Sequence, residues 1–371
     1  MKGFHALVIF WIVIPTMAIA QSSPTKPEYF NQNVADSNPL RTEQARELDE
    51  YIKAVAADRS RFHKLFKPDY SSVSAFEKSV IPLRKAFSES IGYPPPGKRP
   101  TKPATFKQIG EDSIGVYYRA MIPILPGVHS EGIYIVPKSV QGRTPLIISM
   151  HGGGGSPEVA LFNGGSNYND MVRGAVKQGY LVYAPQHLFR VDGYPKDIRR
   201  HIDDRMRLIG TSITAVEIAK ITFALDELLK RPEVDSSRIG MVGLSYGGYY
   251  AQMAPAIDTR IKVSVASCYF GVQEGRYAES ELSVPSDFRF MNRLSLFNDD
   301  DLVALICPRA LQIQAGSKDR ASHRETGKMI APRAAMFYKK LNLSDRFEHV
   351  IFEGGHEFDD ASAWAFVKKQ L

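Results

Sequence analysis

Arg238-Ile239-Gly240-Met241-Val242-Gly243-Leu244-Ser245-Tyr246-Gly247-Gly248 is a short apolar run that stops at a serine bracketed by glycines. Arg238 to Leu244 reads as a buried strand and Tyr246 to Ala254 as a helix of small residues, so Ser245 falls on a sharp strand-to-helix turn. Such a turn needs strained backbone, and side chains two residues to either side would collide with neighbouring elements. Gly243 and Gly247 remove those collisions. The arrangement is a nucleophile elbow, which lifts the serine hydroxyl above the carboxyl end of the strand, at a helix N-terminus that favours developing negative charge.

A serine hydroxyl attacks only when a base takes its proton, and the base needs a carboxylate to hold its tautomer. Both are expected on loops after later strands. Ala310 to Ala315 reads as a strand and leads into Gly316-Ser317-Lys318-Asp319, a tight loop ending in an acid. Phe347 to Phe352 reads as the next strand and leads into Glu353-Gly354-Gly355-His356. Taken singly, Asp319 could serve as a turn or cap residue and His356 as an idle loop histidine. Three such residues at strand ends, in the order Ser245, Asp319, His356, point together to a catalytic triad.

A fourth part lies in His151-Gly152-Gly153-Gly154-Gly155, directly after the apolar run Leu146 to Met150. Glycines there let backbone N–H groups turn toward an oxygen that becomes negative in a transition state. Gly152 and Gly153 are the expected donors on one side and the Tyr246 N–H on the other. A phosphate loop is excluded, since no Gly-Lys-Ser/Thr follows. His151 is expected to support the loop.

Around these motifs, β-type runs alternate with helical ones from Phe106 onward. Gly115 to Ile122 and Glu131 to Pro137 read as a hairpin pair, followed by strands at Leu146 to Met150, Tyr180 to Ala184, Arg238 to Gly243, Ile261 to Ser267, Ala310 to Ala315 and Phe347 to Phe352. Ile213, Val216, Ile221, Leu225 and Leu228 line one face of a helix predicted over Thr211 to Arg231. The pattern implies an α/β fold with a mostly parallel central sheet flanked by helices and sites beyond the strands' carboxyl ends. Two long insertions, Gln186 to Gly210 and Gly271 to Asp301, leave from such ends and are expected to shape the substrate entrance.

The 371 residues, 44% hydrophobic and 23% charged, suit a folded protein rather than a disordered one. Lys2 and His5 precede an apolar run from Ala6 to Ile14 and then Ala18-Ile19-Ala20, which reads as a signal peptide spanning residues 1–20. The apolar stretch falls short of the about 20 residues of a membrane span. The mature protein is therefore expected in the periplasm or outside the cell, with no stable span after cleavage. Residues 21–105 read as a linker and helical extension, with Leu48, Tyr51, Ile52, Val55, Phe62, Leu65 and Phe66 at helical spacing and a boundary cluster at Pro94-Pro95-Pro96-Gly97. Residues 106–371 are the expected catalytic domain.

Forty-seven lysines and arginines against forty acids give a net charge of +7, but no basic run interleaves with aromatics, so nucleic acid is not an expected partner. Arg190, Arg199, Arg200, Arg205 and Arg207 cluster after a strand, as a solvated face or, alternatively, an anion-binding rim. Cys268 and Cys307 are too few for a disulfide scaffold and lack metal-ligand spacing. Each is expected as a buried free thiol, with pairing left open.

From about Phe106 to Leu371 the chain resembles the α/β-hydrolase superfamily. Within it, the chain is similar to secreted esterases of the acetylxylan esterase and dienelactone hydrolase kind. Besides the elbow, the likeness rests on Pro232-Glu233-Val234-Asp235 before Arg238-Ile239-Gly240, and on Cys307-Pro308-Arg309-Ala310 before the acid. True dienelactone hydrolases carry a cysteine where this chain has Ser245. The resemblance implies a serine hydrolase of carboxylic esters that needs no cofactor and no metal and acts on a small-molecule or carbohydrate ester, such as an acetylated polysaccharide. A peptidase of the prolyl-oligopeptidase kind is the rival reading, although the first hundred residues are too few for a propeller whose blades take about 40–50 residues each. A binding scaffold that has lost catalysis fits less well, because all three triad candidates are present.

Overall fold

Residues 29–30, 32–162, 166–189, 198–274 and 285–371 are described by a computed structural model. Buried apolar runs flanked by helices pair as parallel strands. β4 (Thr144–Met150) sits between β5 (Leu181–Pro185) and β6 (Val234–Leu244), and β7 (Ile261–Ser267), β8 (Ala310–Gly316) and β9 (Phe347–Phe352) follow outward from β6. Every residue of β8 is buried, as expected of a strand covered on both faces. On the other side of β5, β3 (Val128–Pro137), β2 (Gly115–Leu125) and β1 (Thr105–Glu111) run antiparallel, so that the described residues form a sheet of nine strands in the order β1-β2-β3-β5-β4-β6-β7-β8-β9. The expected hairpin is β2 and β3. β1 was not foreseen because this edge strand, Thr-Phe-Lys-Gln-Ile-Gly-Glu, is largely exposed and carries no apolar alternation.

Alternation across the pleat divides the core in two. Leu146 and Ile148 pack toward helices Ile213–Leu228 and Tyr246–Ile257, while Ile147 faces helices Met171–Lys177 and Asp360–Gln370. The helix expected over Thr211 to Arg231 runs from Ile213 to Leu228, started by Ser212, whose hydroxyl accepts the Ala215 N–H at 3.2 Å. Its five predicted inward residues are all buried.

By compactness the chain divides into two units, residues 1–54 and 55–371. Phe62, Phe66, Phe76, Val80, Leu83, Phe87 and Ile91 belong to the same core as the sheet, with burial of each phenylalanine contributing about 1.5–3 kcal/mol. Hydrogen bonds to later residues hold the segment as well: the Arg84 guanidinium donates to Ala256 O at 3.0 Å and Leu305 O at 2.7 Å, and Ile91 O accepts the Ser212 hydroxyl at 2.6 Å. Arg59 reaches both oxygens of Asp301 at 2.7 Å. The helical segment is therefore part of the second unit's core from Phe62 onward. Helix Asn38–Ala57 buries none of its residues, and Leu48, Tyr51 and Ile52, read as apolar positions at helical spacing, are exposed. Charged pairs along it, such as Lys53 with Asp49 at 2.6 Å, support the helix locally.

The expected signal peptide, residues 1–20, lies outside the described residues, as do 190–197 and 275–284 of the two insertions. Among the described residues, no helix is long and apolar enough to cross a membrane.

Candidate active site

Ser245 follows the last residue of β6 and precedes helix Tyr246–Ile257, with φ 59° and ψ −114°. A positive φ on a residue with a side chain is strained and must be held by its surroundings. Here the Ser245 N–H donates to Ser267 O on β7 at 2.7 Å, and Ser245 O accepts the Tyr249 N–H at 3.0 Å. The glycines are sterically required: a Cβ on Gly243 would lie 2.2 Å from Gly247 O, and one on Gly247 would lie 2.1 Å from Met150 O. The elbow is thus wedged between β4 and β7.

Asp319 ends the loop after β8, and His356 lies in the loop after β9. Their side chains meet, with His356 Nδ1 donating to Asp319 Oδ1 at 2.9 Å. The same oxygen accepts the Arg320 N–H at 2.7 Å, and Asp319 Oδ2 accepts from His323 Nδ1 at 3.0 Å. Burial by itself would raise the Asp319 carboxyl, but hydrogen bonds from His323 and His356 hold it well below the usual carboxylate range. It is a permanent anion. The His356 loop is fastened from the β4 side: His356 O accepts from Asn167 Nδ2 at 2.9 Å, and Asn169 Nδ2 donates to Phe358 O at 2.8 Å and Glu357 Oε2 at 3.1 Å.

Cys268, one residue past β7, lies between the elbow and the acid. Its thiol donates to Glu357 O at 3.3 Å, and its sulfur, an Asp319 oxygen and a His356 ring nitrogen all lie within 4.8 Å of one another. Burial, with Asp319 beside it, pushes the thiol up to about 12. Cys307 is likewise free, buried and pushed up to about 12 by its burial.

The glycine loop after β4 differs from expectation at one position. The Gly152 N–H, expected to face an oxyanion, donates instead to the Tyr168 hydroxyl at 2.7 Å. That hydroxyl fills the hollow beside Gly155, where an added Cβ would lie only 2.1 Å away. A neutral phenol close by satisfies the N–H without the chain having to move. Gly153 and Tyr246 remain as candidate donors. The Gly153 position abuts the Phe189 ring, at 2.9 Å from an added Cβ, and Phe189 in turn meets Tyr246 with centroids 4.8 Å apart.

Beneath the loop, His151 and His187 stack with ring centroids 3.8 Å apart. His151 Nδ1 bonds Gly152 O at 2.8 Å, its Nε2 accepts the His187 N–H at 3.3 Å, and His187 Nε2 donates to His151 O at 2.6 Å. Burial lowers His151 to about 4 and His187 well below its ordinary value, so both rings are neutral at pH 7. His151 supports the loop, as expected. His187, Tyr168 and Cys268 went unforeseen as parts of the site because each meets it through tertiary packing, and His323 because its i,i+4 relation to Asp319 depends on where the following helix begins.

The arginine cluster resolves into separate roles. Arg199 is buried, donating from Nε to Asp287 Oδ1 at 2.8 Å and pairing also with Oδ2, while its guanidinium carbon lies 4.8 Å from the Tyr246 ring centroid. Arg207 pairs with Asp203 at 2.8 Å, Arg200 and Arg205 are exposed, and Arg190 lies outside the described residues. Arg199 is neither a solvated face nor a rim: it ties the first insertion to Asp287 of the second. Asp287 O also accepts the Tyr249 hydroxyl at 2.9 Å, and Phe288 packs on Tyr249 with centroids 4.6 Å apart.

Residues 132–288 match the family described as "Dienelactone hydrolase family". Over 293 residues the chain is 24% identical to "Putative hydrolase YtaP" of Bacillus subtilis (strain 168), covering 74% of this chain and 95% of that protein. It is also 24% identical over 233 residues to "Uncharacterized peptidase YuxL" of the same organism, but spans only 30% of that longer protein. Among solved structures, a glucuronoyl esterase from Solibacter usitatus superposes with a TM-score of 0.61 at 16% identity, over 82% of this chain and 97% of that one. Methylesterase BT1017 gives 0.65 at 16% identity over 85% and 68%. An acetyl xylan esterase from Paenibacillus sp. R4 gives 0.51 at 19% identity over 85% and 100%. At these identities the structures speak for the fold alone, an α/β-hydrolase fold in which residues 132–288 are similar to the dienelactone hydrolase family.

Proposed function

We propose that the protein is an exported serine hydrolase of carboxylic esters that works through an acyl-enzyme. The observation that carries this reading is the 2.9 Å bond from His356 Nδ1 to a fully buried, ionised Asp319, at the carboxyl end of the strands, where Ser245 is held at positive φ. With its Nδ1 proton committed to Asp319, His356 keeps Nε2 as a base. Ser245 Oγ attacks the ester carbonyl while Nε2 takes its proton, and the carbonyl oxygen becomes an anion facing the N–H groups of Tyr246 and Gly153. One such donor supplies about 3 kcal/mol. Collapse breaks the bond to the alcohol oxygen, which leaves with the proton from His356. Water then attacks the acyl-serine, giving its proton to Nε2, and Ser245 departs protonated as the acid is released. The cycle closes without a cofactor.

The names of the similar structures, acetyl xylan esterase, glucuronoyl esterase and methylesterase, favour an acylated or esterified carbohydrate as substrate. The likeness to a protein named as a peptidase favours the rival reading. Purified mature protein assayed on short and long p-nitrophenyl esters beside a dipeptide nitroanilide separates the two. Rapid release from the acetate but not the anilide supports the esterase and leads on to acetylated glycans. Cleavage of the anilide favours the peptidase. For export, a secreted product beginning at Gln21 supports the reading, and an intact cytoplasmic N-terminus opposes it.

A further inference from the structure

We infer that His323 is a positioning residue of this site, clamping the Asp319 carboxylate so that its other oxygen faces His356. The inference rests on the serine-hydrolase reading and extends it to a residue outside the triad. His323 lies in the first turn of helix Ala321–Lys340, four residues after Asp319, so the helix that follows the acid brings the ring back over it. Its Nδ1 donates to Oδ2 at 3.0 Å, while Oδ1 takes His356 Nδ1 at 2.9 Å and the Arg320 N–H at 2.7 Å. The two imidazoles flank the carboxylate with centroids 5.5 Å apart. The Asp319 side chain has no exposure and that of His323 only 10%, so water does not readily replace either bond.

The geometry gives His323 a steric and directional effect on the acid. Donors on both oxygens prevent the carboxylate from rotating about its Cβ–Cγ bond, because rotation would break one of them, and Oδ1 is thereby kept in line with His356 Nδ1. The other titratable or charged groups around the acid are few. Cys268 from β7 is a neutral thiol, Arg324 donates to the Asp319 backbone carbonyl at 3.1 Å, and Glu357 accepts the Gly355 N–H at 2.8 Å. Lys318 pairs with Glu353 at 2.6 Å.

The test compares wild type, Ser245→Ala, His323→Ala and His323→Asn in p-nitrophenyl acetate hydrolysis across about pH 5 to 9. The asparagine amide nitrogen stands at the same bond distance from the backbone as the ring Nδ1 and restores a neutral donor. For His323→Ala we expect kcat to fall about 10-fold with KM changed less than about twofold. His323→Asn should recover most of the loss. Turnover that survives Ser245→Ala overturns the serine-hydrolase reading itself. Ser245-dependent turnover with wild-type kcat in His323→Ala overturns the positioning role and leaves that reading standing. A fall in kcat that His323→Asn does not rescue also overturns it, as the mark of packing alone. Should the alanine variant fail to fold, His323→Leu against His323→Asn puts the same question, since both fill the site and only one donates.

Discussion

Gly247→Ala probes how tightly the elbow is built. A Cβ at this position would lie 2.1 Å from Met150 O and 2.7 Å from His151 O, both backbone atoms of the strand and loop that carry the candidate oxyanion donors. Contacts below 3.0 Å are not tolerated, so the elbow and the end of β4 must part by about 0.9 Å. Neither side yields easily. Ser245 is tied to Ser267 O, and the β4 end is paired to β6 through Met150 opposite Gly243. Overpacking of this kind costs about 1–3 kcal/mol, or a few degrees in Tm for a unit this large. The catalytic cost should be greater in proportion, since a displacement near 1 Å between nucleophile and oxyanion donors lowers the rate about 10²-fold. Differential scanning fluorimetry and p-nitrophenyl acetate kinetics on the same preparation measure both. A variant with wild-type Tm and kcat/KM would refute the reasoning, because the backbone could not then be as closely packed as described.

Asp319→Asn puts an amide where three N–H donors converge, so at least one is left without an acceptor and His356 loses the tautomer it needs. We expect kcat to fall about 10⁴-fold with little change in KM, and a loss below tenfold would count against Asp319 as the orienting acid. Because His151 is lowered to about 4 in the fold, the unfolded chain binds more protons between about pH 6.5 and 4, and stability drops by about 3 kcal/mol as pH falls through that window. Urea melts of wild type and His151→Asn should show a shallower pH dependence in the variant, whereas equal slopes would contradict the assignment. Arg199→Ala leaves the Asp287 carboxylate buried without its main partner and should destabilise by about 3–5 kcal/mol in urea. If the variant is as stable as wild type and only its KM for an anionic ester rises, Arg199 is a substrate contact rather than a tie between the insertions.

Much of the sheet was legible because buried parallel strands write themselves as short apolar runs. Ile261 to Ser267 and Phe347 to Phe352 match their observed bounds, and Ser245, Asp319 and His356 stand at the strand ends where the motifs put them. β1 left no trace, since an exposed edge strand needs no apolar face. The Gly152 expectation fell to Tyr168, sixteen residues away, whose hydroxyl captures the N–H through a fold-level contact that no local pattern encodes. Arg199 shows the same limit from the other side. As one of five nearby arginines it looked solvated, and only the arrival of Asp287, 88 positions later, makes its burial tolerable. His323 was hidden for a different reason: its i,i+4 relation to Asp319 becomes visible only once a helix is known to begin at Ala321.

In the mechanism we propose, Ser245 carries the acyl group. Rapid quench of the protein with p-nitrophenyl acetate, followed by peptide mass spectrometry, reads this directly. An acetyl group is expected on the peptide containing Ser245, formed in a burst with p-nitrophenol and absent in Ser245→Ala. Acetylation at another residue, or undiminished turnover by the Ser245→Ala protein, would contradict it.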